Sequence, residues 1–139
     1  MKKFKSILLV DDDAISNKIG EKLIQRLNIA ETVNSVANGE EAIAYLKLSK
    51  ELPEIIFLDL NMPIMDGYQF LEAFERSSFN KSKTDIVILT SSTASRDLEK
   101  IQEYPVRYYV SKPLLDQNLL KICKMIQAEK QHKFVMLGS

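Results

Sequence analysis

One cysteine, Cys123, leaves the chain unable to form an internal disulfide, so neither a stapled nor a secreted scaffold is implied. Net charge is lacking too: Lys+Arg and Asp+Glu both number 19, whereas a nucleic-acid binder ordinarily carries a basic excess. No apolar run approaches the ~20 residues of a membrane span. The first such run, Ile7 to Val10, follows a basic N-terminus but meets three aspartates at once, which excludes a signal peptide. No Gly-x-x-x-x-Gly-Lys-Ser/Thr occurs, so there is no phosphate loop of that type. The only histidine, His132, lies near the end, away from any candidate chemistry. Internal repeats and low-complexity blocks are also missing. These absences lead to the expectation of a cytoplasmic protein that contacts neither membrane nor nucleic acid.

What is present is ordinary globular composition: 139 residues, 45% hydrophobic and 27% charged, enough for one domain with a real core. Short apolar runs alternate with amphipathic segments. The runs are Ile7–Val10, Ile55–Leu58, Ile86–Leu89 and Val106–Val110, with a weaker one at Thr32–Val36. Continuous apolar, β-branched runs of four or five residues suit strands buried on both faces. Between them lie helical patterns. Ile15, Ile19, Leu23 and Leu27 recur every four residues beside Ile24, with Asp13 as N-cap. Asn38 and Glu41 predict a capping box ahead of Ala42, Tyr45 and Leu46. Asp66-Gly67-Tyr68-Gln69 opens a third helix carrying Phe70, Leu71 and Phe74. A short fourth is predicted near Ser95 to Glu103, stopping before Pro105, and a fifth from Asp116 carries Leu119, Leu120, Cys123 and Ile126. Residues 77–84 are polar and aperiodic, a loop. The predicted fold is therefore (βα)5, a doubly wound five-stranded parallel sheet of flavodoxin-like architecture. Residues 1–130 form the domain and 131–139 a flexible tail.

In such sheets ligands bind at the carboxyl ends of the strands. The first run ends in Asp11-Asp12-Asp13, the third in Asp59, the fourth in Thr90-Ser91-Ser92 and the fifth in Ser111-Lys112-Pro113. Several carboxylates, a hydroxyl cluster and one lysine thus share an edge. Hard oxygen ligands suit Mg²⁺, and a lysine with hydroxyls suits the oxygens of a phosphoryl group. The neutral total hides a local acidic pocket.

This constellation resembles the receiver domain of two-component response regulators. The residues that carry the resemblance are Ile7–Asp13, Leu58–Gly67, Leu89-Thr90-Ser91 and Tyr109–Pro113, and it spans about residues 5–130. The resemblance implies that Asp59 is the phosphoacceptor, attacking a phosphohistidine on a sensor histidine kinase or a histidine phosphotransfer protein to give an acyl phosphate. Asp12 would hold Mg²⁺ directly, Asp11 through a water, and Asn61 by its backbone carbonyl. Lys112 would pair with one phosphoryl oxygen, Thr90 would hydrogen-bond another, and the Ser91 N–H could contact a third. Tyr109 would be the aromatic switch that turns inward with Thr90, and the Lys112–Pro113 bond is expected to be cis. Asn61 and Ser92 occupy positions where family members vary and where phosphoryl lifetime is set. Such a chain is a signalling switch rather than an enzyme, catalysing only its own phosphorylation and dephosphorylation. Its output would be a protein target, or a second copy, on the face of the fourth helix, fifth strand and fifth helix.

Each residue also has a plainer role open to it. Asp13 is an N-cap, Cys123 core, and one of the adjacent Tyr108 and Tyr109 is packing, since neighbours on a strand point to opposite faces. Other functions remain in view. A haloacid-dehalogenase-type phosphatase also uses a strand-end Asp with Mg²⁺, but wants an acid two residues later, where this chain has Asn61. A flavin carrier needs a Ser/Thr/Gly-rich loop after the first strand, where three acids stand. A degenerate receiver would serve as a constitutive binding module.

Overall fold

Period-two alternation divides each apolar run between two cores, and the sheet follows from that division. The computed structural model describes residues 2–91 and 99–138, those from 131 onward by backbone alone. Five strands, β1 (Phe4–Val10), β2 (Ala30–Val36), β3 (Ile55–Asp59), β4 (Asp85–Thr90) and β5 (Tyr108–Ser111), form one parallel sheet in the order β2-β1-β3-β4-β5. Ile7, Leu9, Ile55, Phe57, Val87 and Leu89 face one side; Leu8, Val10, Ile56, Leu58 and Ile88 face the other. The first side is covered by α1 (Ala14–Arg26) and α5 (Asp116–Gly138), and the second by α2 (Gly39–Leu48) and α3 (Gly67–Arg76) with α4, described over residues 99–101. Burying an aliphatic or aromatic side chain contributes about 1.5–3 kcal/mol. The two cores therefore dominate the fold, and both depend on strands too apolar to face water. Edge strand β2 is only half-buried, which is why its run is the weakest.

The caps follow sequence. The Asp13 carboxylate accepts from the Ile15 and Ser16 N–H groups, and the Asn38 side chain accepts from the Glu41 N–H. The Glu41 carboxylate, however, accepts from the Ala37 N–H at 3.2 Å rather than that of Asn38, so the predicted capping box is only half formed. The complete box is at α3, where Asp66 and Gln69 serve each other's backbone N–H.

Two other expectations are corrected, and the backbone of the expected tail is described. Ile15 and Ile19 are 72% and 57% exposed, although they open the predicted apolar stripe. A strict spacing of four advances about 40° around a 3.6-residue helix at each step, so the line walks from solvent at Ile15 to core at Leu23. The fifth strand starts at Tyr108 rather than Val106, because Pro105 has no N–H and the Val106 N–H is spent on the Tyr104 carbonyl at 2.8 Å. The tail predicted for 131–139 is helical backbone as far as Gly138, since nothing between Pro113 and Gly138 breaks a helix. Of the fourth helix expected near 95–103, residues 92–98 lie outside the described residues, as does Ser92.

Glycine is required where α3 begins. A Cβ on Gly67 would lie 2.6 Å from the Asp59 carbonyl oxygen and 2.7 Å from Leu60 Cα, both backbone. On Gly20 it would come closest to Leu9 Cδ1, at 2.9 Å, the end of a side chain that can turn. Gly67→Ala should therefore cost about 1–3 kcal/mol in urea unfolding, and Gly20→Ala clearly less. Equal costs would show that the α3 entry is not the tighter contact.

Candidate functional site

Strand register builds the site. Val10 pairs with Leu58, so the next residues, Asp11 and Asp59, emerge side by side at the carboxyl edge. Asp59 in turn pairs with Leu89 and Thr90 with Ser111, and the Lys112 N–H donates to the Thr90 carbonyl at 2.8 Å. The chain folds this way because the four apolar runs end together, and their first polar residues have only that edge to occupy.

One carboxylate oxygen from each of Asp11, Asp12 and Asp59 lies within 4.8 Å of the others. Asp11 and Asp59 are buried and Asp12 is exposed. Lys112 reaches into the group: its Nζ donates to Asp11 Oδ2 at 2.7 Å and stands 3.6 Å from Asp59 Oδ2. Burial pushes the Asp59 carboxyl above its ordinary pKa; Lys112 pulls the other way, and the neighbouring Asp11 and Asp12 charges add to the rise. For Lys112, burial works against the charge, but the hydrogen bond to Asp11 and the Asp59 charge outweigh it and the pKa rises. Lys112 is thus held as a cation among carboxylates.

The remaining expected residues take their places around this centre. Thr90 is half-buried at the end of β4, and Ser91 is exposed just beyond it. Asn61 is exposed on the loop after β3, its N–H 3.4 Å from Asp59 Oδ1. Tyr109 is 39% exposed with its hydroxyl donating to the Val106 carbonyl, while Tyr108 is buried, the opposite-face arrangement its position required. The Lys112–Pro113 peptide is cis. Asp13 belongs to the cap, and burial pushes the thiol of Cys123, in the core, up to about 12.

Sequence reasoning missed Asn17 and the loop anchors. The Asn17 amide donates to the Asp11 carbonyl at 2.8 Å and to the Val36 carbonyl at 3.2 Å. Its signal was available: Asn17, Gly20 and Ile24 share the buried stripe of α1, and a polar group on such a stripe needs partners. The loop after Asp59 is tied to two helix starts. Gly39 donates to the Met65 carbonyl at 2.9 Å, and Gly67 to the Leu60 carbonyl at 3.0 Å.

The donor set is all oxygen and carries several negative charges, the chemistry that holds a hard divalent cation such as Mg²⁺ with part of its water shell retained. Asp11, Asp12 and Asp59 are the carboxylates that come together there.

Comparison with known proteins agrees with this edge. Residues 7–124 match the family described as Response regulator receiver domain, and the chain belongs to that family. It is 30% identical over 125 residues to the probable methanogenesis regulatory protein FilR2 of Methanothrix harundinacea, covering 87% of this chain and 80% of that one. It is 31% identical over 119 residues to the sensor histidine kinase CheAY of Helicobacter pylori, covering 85% of this chain but 14% of the kinase. Among solved structures, a two-component response regulator from Cytophaga hutchinsonii superposes with a TM-score of 0.79 at 33% identity, covering 91% of this chain and 99% of that one. Receiver domains are signalling switches of two-component systems, work with kinases or phosphotransfer proteins, and bind Mg²⁺ at an acidic site of this kind. The family match sets aside the phosphatase and flavin-carrier alternatives. Among the described residues no helix is long and apolar enough to cross a membrane.

A raised Asp59 pKa has a consequence for the metal-free protein. The folded state binds this proton more tightly than the unfolded chain, so stability falls as pH rises from the ordinary carboxylate range through the folded pKa. Asp59→Asn should raise Tm by roughly a few degrees at pH 7 in chelator. The gain should disappear below about pH 4, the unperturbed carboxylate range. A gain independent of pH would mean that burial of the charge is not its source.

Proposed function

We propose that the protein is a phosphorylation-dependent switch, in which Asp59 accepts a phosphoryl group from the phosphohistidine of a sensor histidine kinase or histidine phosphotransfer protein. The observation that carries this reading is the convergence of three carboxylates and Lys112 on one strand edge. A carboxylate oxygen of Asp59 forms the new O–P bond as the N–P bond breaks, and the imidazole nitrogen keeps the electron pair and takes a proton. Acceptor and incoming group are both anionic, so positioning and charge neutralisation matter more than acid–base chemistry. Mg²⁺, when bound, supplies positive charge to the phosphoryl oxygens. Asp12, Asp59 and the Asn61 carbonyl would hold it, with Asp11 acting through water. Lys112 supplies the second positive charge, 3.6 Å from Asp59 before any phosphoryl group arrives. Thr90 and the Ser91 N–H, following the Leu89 that pairs with Asp59, would receive the remaining oxygens. Tyr109, outward and exposed, is the aromatic group that would turn inward when Thr90 moves, giving up its hydrogen bond to the Val106 carbonyl.

The surroundings favour a protein donor. Ile15, Ile19, Ile64 and Leu115 are 57–74% exposed and stand on segments that run directly from the site residues. Apolar groups rimming an acidic pit fit a partner surface that delivers its phosphoryl group to the centre. Output would then pass through the α4–β5–α5 face, where Tyr109 sits, to a downstream protein or a second copy of the chain. The setting is the cytoplasm.

Incubation with acetyl phosphate, followed by intact mass measurement, tests this reading. One phosphoryl adduct is expected, formed only with Mg²⁺ and absent in Asp59→Asn. An adduct that persists in that variant would overturn the assignment of Asp59. No adduct under any condition would make the chain a constitutive binding module instead.

A further inference from the structure

We infer that Asn17 is a positioning residue for the cation site: its side-chain amide fixes the Asp11–Asp12 peptide that presents the metal-binding carboxylates. The inference rests on the Mg²⁺ reading of that site and adds to it a residue outside the acidic group.

Asn17 lies on α1 with 8% of its surface exposed. Both of its short side-chain bonds go to carbonyls at strand ends: Asp11 at 2.8 Å, just past β1, and Val36 at 3.2 Å, the last residue of β2. The Val36 carbonyl already accepts from the Asp11 N–H at 3.1 Å. One amide therefore closes a ring of three groups across two neighbouring strands. A hydrophobic residue there would leave the Asp11 carbonyl without this donor, while the Val36 carbonyl kept the Asp11 N–H, and a buried unpaired carbonyl is costly.

The geometry has a specific result at the site. Asp11 is held at four points: its N–H by Val36, its carbonyl by Asn17, one carboxylate oxygen by the Asp13 N–H at 2.9 Å, and the other by Lys112 at 2.7 Å. Asp12 has none of these restraints and is exposed. Its direction is set by the peptide plane that joins it to Asp11, and the carbonyl of that plane is the one Asn17 holds. Losing the amide frees the plane to rotate. Asp12 then must be ordered at the moment a cation binds, and affinity falls by the entropy of that ordering. Residues that orient ligands without touching the metal typically change affinity 10–100-fold.

Calorimetric titration of the full chain with MgCl₂, well below Tm, separates this role from general support of the fold. Asn17→Ala should raise the Mg²⁺ Kd about tenfold. Asp12→Ala, which removes a ligand, sets the upper end of the scale. Asn34→Ala is the control, because the Asn34 amide also makes a bond (3.0 Å to the Tyr45 hydroxyl) but away from the site. Its Kd should match the wild type. A lower metal-free Tm for Asn17→Ala is expected under either role and decides nothing alone; the Kd decides. If the alanine variant does not fold, Asn17→Ser takes its place with the same expected direction. A folded variant whose Kd stays within about twofold of wild type overturns the inference while leaving the metal reading intact. A wild-type chain with no Mg²⁺ response overturns the metal reading and this inference with it.

Discussion

Like charges crowded at one strand edge are the constraint around which this molecule is arranged. Asp11 and Asp59 emerge side by side because Val10 pairs with Leu58, and Asp12 follows at once. Folding the sheet forces the carboxylates together whether or not a cation is available. Lys112 is the protein's own response, entering from β5 at the far side of β4 to a hydrogen bond with Asp11. Burial raises the Asp59 pKa first of all, and the Asp11 and Asp12 charges add to the rise that Lys112 opposes. A site with residual repulsion is one that gains from a cation, since binding to the folded state alone adds stability in proportion to ln(1 + [L]/Kd).

Holding such a site requires loops that do not relax. The segment after Asp59 is pinned by Gly39 to the Met65 carbonyl and by Gly67 to the Leu60 carbonyl, and in both places a Cβ would strike backbone. Between the pins, Ile64 has a φ of +69° and the Met65 N–H reaches the Pro63 carbonyl at 2.8 Å, a three-residue turn that a β-branched residue adopts only under strain. The opposite edge carries the ion pairs that tie α5 to the sheet. Lys130 reaches Glu54 at 3.2 Å and Asp85 at 3.8 Å, Arg107 reaches Glu129 at 2.9 Å, and the buried Tyr108 hydroxyl donates to Glu129. Burial, with the Glu129 bond, holds the Tyr108 phenol far above its usual pKa, so it remains a donor at any ordinary pH. These ion pairs fasten α5 at the amino ends of the strands, while at the carboxyl end its first turn is held by the Asn118 amide, which donates to the Ser111 and Pro113 carbonyls.

Much of this was legible in the chain. The apolar runs set the number of strands, and the first polar residue after each marks Asp11, Asp59, Thr90 and the Ser111-Lys112 pair. What sequence could not supply was partnership. Glu41 serves Ala37 instead of Asn38, because a long carboxylate has several N–H groups in reach and only geometry chooses among them. Asn17 looked like an ordinary polar residue on a helix, since its partners are carbonyls and carbonyls leave no trace in residue type. Ile15 and Ile19 looked like core, because spacing of four is close enough to 3.6 to mislead over a short helix. The polar residue that follows each strand was readable from the chain, the start of β5 was not, and which atom meets which depends on geometry that residue type does not carry.

The position of Lys112 bears on how the proposed switch would be driven. At rest its ammonium hydrogen-bonds to Asp11 at 2.7 Å and stands farther from Asp59, at 3.6 Å. A phosphoryl group on Asp59 would add negative charge and acceptor oxygens on that farther side, giving the ammonium a competing partner. Lys112 is linked through its own N–H to the Thr90 carbonyl, and it lies three residues after Tyr109, just past the end of β5. A shift of the ammonium that moved the Lys112 backbone would reach Thr90 through this hydrogen bond. Phosphorylation can move the equilibrium only by the difference in interaction energy between the two states. In this chain the exchange of partners at Lys112 is where that difference would arise, with β5 as the element that carries it to the surface.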